Sequence, residues 1–213
     1  MINLRSKDII PNLDNVMFHI LGCGAIGSSA ALQIARMGGF KFMLYDMDKV
    51  EMHNIGVSQY RQSHIGQQKV NALREQILEI EPECEVSALN KKVDNSTIMY
   101  MTGNDIAVIG FDSMKSRYDS VQAIYKSKVK PKVVIDGRMG AEQYQQTVTK
   151  TMTEYLKGWY PDSEGDPEPC TAKATSYCSN LAGSMIANTI RKVETSQPIN
   201  KSFSFHFPTL MLN

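Results

Sequence analysis

The residues best suited to chemistry cluster early in the chain. Gly22, Gly24 and Gly27 form G-x-G-x-x-G with Cys23, Ala25 and Ile26, between an apolar run at 16–21 (VMFHIL) and a helical segment. The first glycine permits a tight turn, the second lets backbone approach a phosphate, and the third lets strand and helix pack closely. The N–H groups and dipole of a helix opening there favour an anion. The next apolar run, FKFMLYD, ends in Asp46, at the spacing expected for an acid that binds ribose hydroxyls. This set suits an adenine nucleotide and leaves NAD and ATP both open. The continuation is more highly charged. Asp48, Asn54, Arg61 and Lys69 come before or at the start of the next helix, and Asp112 follows the strand DIAVIG. A carboxylate at that strand end faces the ligand crevice of a parallel sheet. Together these residues offer cations for a polyphosphate and an acid for Mg²⁺. An NAD-dependent Rossmann oxidoreductase accounts for the glycine turn and Asp46 but leaves Asn54, Lys69 and Asp112 without a task.

Positioning these groups requires alternating strands and helices. After the glycine turn, SSAALQIARM carries small and apolar residues at helical spacing and stops at Gly38-Gly39. Val70, Leu73, Ile77 and Ile80 share one face of a helix predicted over 67–81, closed by Pro82. Strands are predicted at 85–89, 105–110 and 132–136, with a helix over 113–127, and QYQQTVTK alternates like a half-exposed strand. Residues 157–170 are rich in proline and acid and read as a long loop, of the kind usually functional or disordered. A helix over 175–193 and a terminal strand interrupted at Pro208 complete the pattern. The expected fold is α/β: a Rossmann-like, doubly wound, mostly parallel sheet with antiparallel strands on its C-terminal side. One domain is expected over 1–213, with a flexible loop at 151–174 within it.

Composition narrows the function classes. The chain has 213 residues, 42% of them hydrophobic, and 23 basic against 22 acidic side chains give a net charge of +1. That balance makes nucleic-acid binding through bulk charge a poor expectation. No apolar run approaches the ~20 residues needed to span a bilayer, so no membrane association is expected. The first residues lack the pattern of a signal peptide. Cys23, Cys84, Cys170 and Cys178 form no C-x-x-C pair, so they read as reduced thiols of a cytoplasmic protein rather than a tetrathiolate zinc site.

The stretches GCGAIGS, YDMDKVEMHN, HIGQQKVNAL, AVIGFDSMKSRYD and VVIDGRMG, taken together, resemble the ThiF/MoeB/ubiquitin-activating superfamily of adenylating enzymes over roughly residues 13–193. The resemblance implies ATP-dependent adenylation of the C-terminal carboxylate of a small ubiquitin-like or sulfur-carrier protein with a glycine-rich C-terminus. It implies a homodimer using ATP and Mg²⁺. Asp46 would bind ribose, Asn54 and Lys69 would face the phosphates, and Asp112 would hold Mg²⁺. The paired C-x-x-C motifs of the family are absent, so no structural zinc is expected. Other acids, such as a peptide terminus or a modified tRNA carboxylate, are close variants.

The chain departs from the family at several points. Members commonly carry N-x-x-R-Q; that spacing from Asn54 reaches Val57. Arg61 either supplies the missing charge from another backbone position or is a solvated loop residue, and Asp48 either binds nucleotide or caps the turn after the strand. The absent arginine favours a third reading, a catalytically inactive ThiF-like scaffold. Arg5 is the candidate for an arginine lent to a partner subunit. The resemblance makes the loop at 151–174 a flexible crossover, and Cys170 within it stands where some members carry a thiol that accepts the acyl group or forms an acyl persulfide, whereas others do not need it. Lys173 and the following helix N-terminus would favour its thiolate. Cys178 reads as core, and Cys23 and Cys84 as structural. Arg138 either contacts the incoming tail or the crossover, or pairs with Asp136. Arg117 reads as a structural ion-pair partner. Trp159 and Tyr160 either pack over a substrate tail or anchor the loop.

Overall fold

The computed structural model describes residues 6, 8–164 and 174–213. Strand β1 (Met17–Leu21) leads through the glycine turn into α1 (Ala25–Arg36), and β2 (Lys41–Tyr45) follows. A short helix α2 (Met52–Ile55) and the longer α3 (Lys69–Ile80) precede β3 (Glu85–Leu89). Next come β4 (Ile106–Ile109), α4 (Met114–Lys126), β5 (Val133–Gly140) and β6 (Gln143–Thr149). Helices α5 (Met152–Leu156) and α6 (Ser176–Glu194) and strands β7 (Ser202–His206) and β8 (Met211–Leu212) complete the described chain.

The eight strands form one sheet in the order β3-β2-β1-β4-β5-β6-β7-β8. Pairing is parallel from β3 to β5 and antiparallel from β5 to β8. This is the expected Rossmann-like architecture. The strand order reverses between β1 and β4, and ligands of such sheets bind at that switch point, beyond the carboxyl ends of the strands.

The central strand is buried on both faces, and its alternation divides the core. Phe18 and Ile20 point into a cluster with Ala30, Ile34, Leu73, Ile77 and Ile186, built from α1, α3 and α6. Leu21 points into a second cluster with Ile109, Val121, Ile124 and Tyr155, built from α4 and α5. His19 shares that second face and is fully buried, so its ring nitrogens need partners. Its Nε2 lies 3.0 Å from Asp105 Oδ2 and its Nδ1 3.3 Å from the Tyr45 hydroxyl. Asp105 also accepts from Thr102 N and Thr102 Oγ1.

Local chemistry fixes the helix ends. Helix α1 stops in a Schellman motif: Gly38 takes φ +98°, its N–H donates to Ala35 O, and the Gly39 N–H donates to Ile34 O. Helix α4 starts where Ser113 Oγ accepts from Ser116 N. Helices α1 and α6 cross at small residues, and a Cβ added at Gly183 would lie 2.2 Å from Ser29 Oγ.

Candidate nucleotide site

The glycine turn lies at the switch point, and its three glycines differ in why a side chain would not fit. Gly22 has φ +90°, and a Cβ there would sit 2.8 Å from Phe111 N, so the turn presses on the end of β4. At Gly27 an added Cβ would sit 1.8 Å from Gly22 O, as expected where α1 packs directly on its own turn. At Gly24 an added Cβ meets nothing within 4 Å. Among the described residues nothing therefore crowds that position, and the open space borders the first N–H groups of α1, which have no intrahelical partner. A cradle of this kind, a helix N-terminus left open, is the common setting for a bound phosphate. Ile26 is instead a core residue: it is buried, and its Cγ2 would lie 3.1 Å from a Cβ at Gly137.

Asp46, just after β2, locks the turn. Its Oδ2 accepts from Cys23 N at 2.8 Å and its Oδ1 from Asp48 N at 2.9 Å. Burial raises its pKa above the ordinary carboxylate value, with Lys69 and these two N–H donors acting against the shift. Lys69 opens α3, and its Nζ donates to Asp48 Oδ2 at 2.9 Å. The lysine side chain is only 11% exposed, whereas Asp48 is 56% exposed. Burial disfavours the Lys69 ammonium, but Asp46, Asp48 and Asp112 together more than offset this and lift its pKa. Lys69 thus stays charged and within electrostatic reach of all three acids. Asp112 is exposed after β4, and its Oδ1 accepts from Ser113 N at 2.9 Å.

The structure brings Gly22, Gly24, Ala25, Gly27, Asp46, Asp48, Lys69 and Asp112 together. Asn54 and Arg61 are engaged elsewhere. Asn54 Oδ1 accepts from Glu51 N, closing a capping box on α2. Arg61 makes a two-pronged ion pair with Glu79 at 2.8 and 3.1 Å, both side chains being more than half exposed. Glu79 lies ten residues beyond Lys69 on α3, about 15 Å along the axis at 1.5 Å per residue. The arginine head therefore sits well away from the cradle. Val57 is held by its carbonyl, which accepts from Ser179 Oγ at 2.7 Å.

Sequence reasoning missed Tyr60. Its buried hydroxyl lies 2.5 Å from Cys23 O and 3.3 Å from Lys69 O, joining the glycine turn to the first residue of α3. Its place in the polar segment QYRQ, among solvated residues, gave no sign of this.

The far side of the crevice carries a buried charge triad. Asp136 on β5 is 1% exposed and accepts from Arg117 Nη1 and, at 2.9 Å, from Arg138 Nε. Arg117 is thus a structural ion-pair partner. Arg138 does two of the things open to it: it pairs with Asp136, and its Nη1 donates to Gly158 O at 2.8 Å. Its guanidinium also lies 5.6 Å from the centre of the Tyr160 ring. Trp159 packs on Tyr118 at 4.9 Å, so both aromatics anchor the crossover. Cys23, Cys84 and Cys178 are buried, and burial pushes all three thiols up, Cys84 and Cys178 to about 11. They are neutral core groups. Arg5, Cys170 and Lys173 lie outside the described residues.

Metal and nucleotide can be judged from the donors. Among the described residues no group of three or more His, Cys, Asp or Glu could form a metal cage. Mg²⁺ does not need one, because it commonly binds through one or two carboxylates, waters and substrate phosphates. An exposed Asp112 just past the carboxyl end of β4 fits that habit. Switch-point placement, the open Gly24, and a charged lysine among acids define a Rossmann-like α/β domain with a candidate nucleotide site.

Comparison with known proteins narrows this class. The chain matches the ThiF family over residues 2–211 and belongs to it. It is 39% identical over 88 residues to the tRNA threonylcarbamoyladenosine dehydratase of Bacillus subtilis, an alignment covering 39% of this chain and 33% of that protein. It is 32% identical over 89 residues to ubiquitin-like modifier-activating enzyme 5 of Caenorhabditis briggsae, covering 42% of this chain and 19% of the relative. The fold is similar to that of Escherichia coli MccB solved with ATP, at a TM-score of 0.73 and 17% identity, covering 94% of this chain and 64% of MccB. The chain thus spans a third or less of these two relatives and under two thirds of MccB. Among the described residues no helix is long and apolar enough to cross a membrane.

Proposed function

We propose that this chain adenylates a carboxylate at the expense of ATP, the acceptor being the C-terminus of a small ubiquitin-like or sulfur-carrier protein. The observation that carries the reading is the cradle at Gly24. Among the described residues an added Cβ there meets nothing within 4 Å, and Lys69 lies within electrostatic reach of Asp46, Asp48 and Asp112. In this reading the α1 N-terminus and Lys69 hold the polyphosphate, Asp46 and Asp48 fix the turn and the lysine, and Asp112 holds Mg²⁺. The metal would neutralise phosphate charge when bound. The acceptor carboxylate displaces pyrophosphate from the α-phosphorus, giving an acyl-adenylate. Such transfers rely mainly on positioning and charge neutralisation, which suits a site with no evident nucleophile among its described residues. The enzyme named for ubiquitin-like modifiers among the relatives, and MccB solved with ATP, support this direction. Arg61, tied to Glu79, has no part in phosphate binding in this reading. Any onward transfer to Cys170, and assembly as a cytoplasmic homodimer, are further parts of the proposal.

ATP–pyrophosphate exchange with candidate acceptors tests the reading. Exchange that depends on a protein ending in glycines is the expected result. Tight NAD binding with no exchange would replace it with the oxidoreductase reading, and ATP binding without exchange across acceptors would favour a scaffold. A second acceptor deserves the same assay: the 39% identity to a tRNA-modifying relative favours trying a tRNA carrying threonylcarbamoyladenosine.

A further inference from the structure

Asp112 is exposed, so no side-chain packing aims it; its direction is set by the backbone that carries it. That backbone is the entry to α4, and residues at the start of the crossover hold it. Asp162 Oδ1 accepts from Met114 N at 2.7 Å and Asp162 Oδ2 from Lys115 N at 3.2 Å. Trp159 Nε1 donates to Met114 O at 3.2 Å. Met114 is therefore gripped through both its N–H and its carbonyl. Ser113 Oγ takes the next helix N–H, that of Ser116, and Asp112 itself takes the N–H of Ser113. Residues 113–116 thus have their backbone donors assigned one by one to side chains, two of them to Asp162. The crossover root is fixed in turn from β5, where Arg138 holds Gly158 O and faces Tyr160.

We propose that Asp162, assisted by Trp159, is a positioning residue for Asp112: by clamping the first turn of α4 it sets where the metal-binding carboxylate points. The proposal rests on the adenylation reading for the role of Asp112. It differs from an ordinary helix cap in its consequence. An ordinary cap stabilises the helix and leaves ligand binding alone, whereas this one governs the metal-dependent part of nucleotide binding. Residues that orient a metal ligand from behind commonly change metal affinity about 10–100-fold when removed.

The test is calorimetric titration of the full chain with ATP, first with excess EDTA and then across a range of Mg²⁺ concentrations. Asp162→Ala is expected to need about tenfold more Mg²⁺ for half-maximal ATP binding, at the low end of such effects. Its ATP affinity in EDTA should equal that of the unmodified protein, because the glycine turn and Lys69 are untouched. Asp162→Asn keeps one acceptor and should fall between the two; it carries the same test if the alanine variant does not fold. Trp159→Phe should shift the Mg²⁺ requirement in the same direction by a smaller factor. An unchanged Mg²⁺ requirement in Asp162→Ala, or an equal loss of affinity with and without Mg²⁺, would overturn the positioning role while leaving the adenylation reading standing. ATP binding by the unmodified protein that ignores Mg²⁺ would overturn both.

Discussion

Substituting alanine at Gly24 and, separately, at Gly27 places the same methyl group at two positions three residues apart, with opposite expected consequences. At Gly27 the new Cβ would sit 1.8 Å from Gly22 O, when real Cβ atoms stay beyond 3.0 Å. More than an ångström of backbone movement is needed at the packed junction of β1 and α1. Overpacking of that order costs about 3 kcal/mol or more, and for a chain of this size each kcal/mol is about 2–4 °C in Tm. At Gly24 the methyl enters open space, and φ is −77°, outside the left-handed region that favours glycine. Losing glycine at this helix N-cap and gaining a less flexible unfolded chain offset one another, leaving stability within about 1 kcal/mol. In the adenylation reading that same space receives the phosphate, so ATP affinity should fall at least about tenfold, or ~1.4 kcal/mol. Thermal melts and calorimetric ATP titration of both variants read the two effects separately. Unaltered ATP affinity in Gly24→Ala would remove the cradle from the argument, and a native melting temperature in Gly27→Ala would refute the packing account.

Three further outcomes are expected. Asp112→Ala removes an exposed side chain, so its melt should stay within about 0.5 kcal/mol of the parent while ATP–pyrophosphate exchange disappears; exchange at the parental rate would take the metal away from this acid. Asp105 is held below its ordinary value of 3.8, because hydrogen bonds from His19 and Thr102 outweigh the opposing effect of burial. Its stabilisation is therefore complete above 3.8 and is lost as pH falls through the lower, folded value. Asp105→Asn should cost about 2–3 kcal/mol at neutral pH and flatten that acid limb in urea melts followed against pH. Asp136→Asn leaves Arg117 buried without its countercharge and should cost about 3–5 kcal/mol in the same melts; a cost below 1 kcal/mol would mean the triad is dispensable.

Much of the architecture was readable from the chain because its signals are local. The apolar strands, the glycine turn, the Gly38-Gly39 stop and the face of α3 are each written within a dozen residues, and all appear where expected. So do the antiparallel strands at the C-terminal end, flagged by the alternation in QYQQTVTK and FSFHF. Helices α2 and α5 escaped notice because four or five residues are too few to establish a period. Within the site, Asp46, Lys69 and Asp112 were legible because each sits at the end of a regular element. Partnerships across the chain were not. The pairing of Arg61 with Glu79, the reach of Tyr60 to Cys23, and the grip of Asp162 on α4 depend on tertiary placement that neither periodicity nor composition encodes. His19 shows the same limit: in VMFHIL it looks like an oddity in an apolar strand, and only Asp105, 86 residues away, explains it.

The crossing at Gly183 and Ser29 has a mechanical consequence. Backbones separated only by the small Ser29 side chain leave little slack, so neither helix slides or tilts freely without displacing the other. The two should then open as one cooperative unit, with slow-exchanging amides of α1 and α6 sharing a single free energy of opening in hydrogen–deuterium measurements. A load applied to the exposed side of α6 would be felt at the end of α1 proposed to meet the nucleotide.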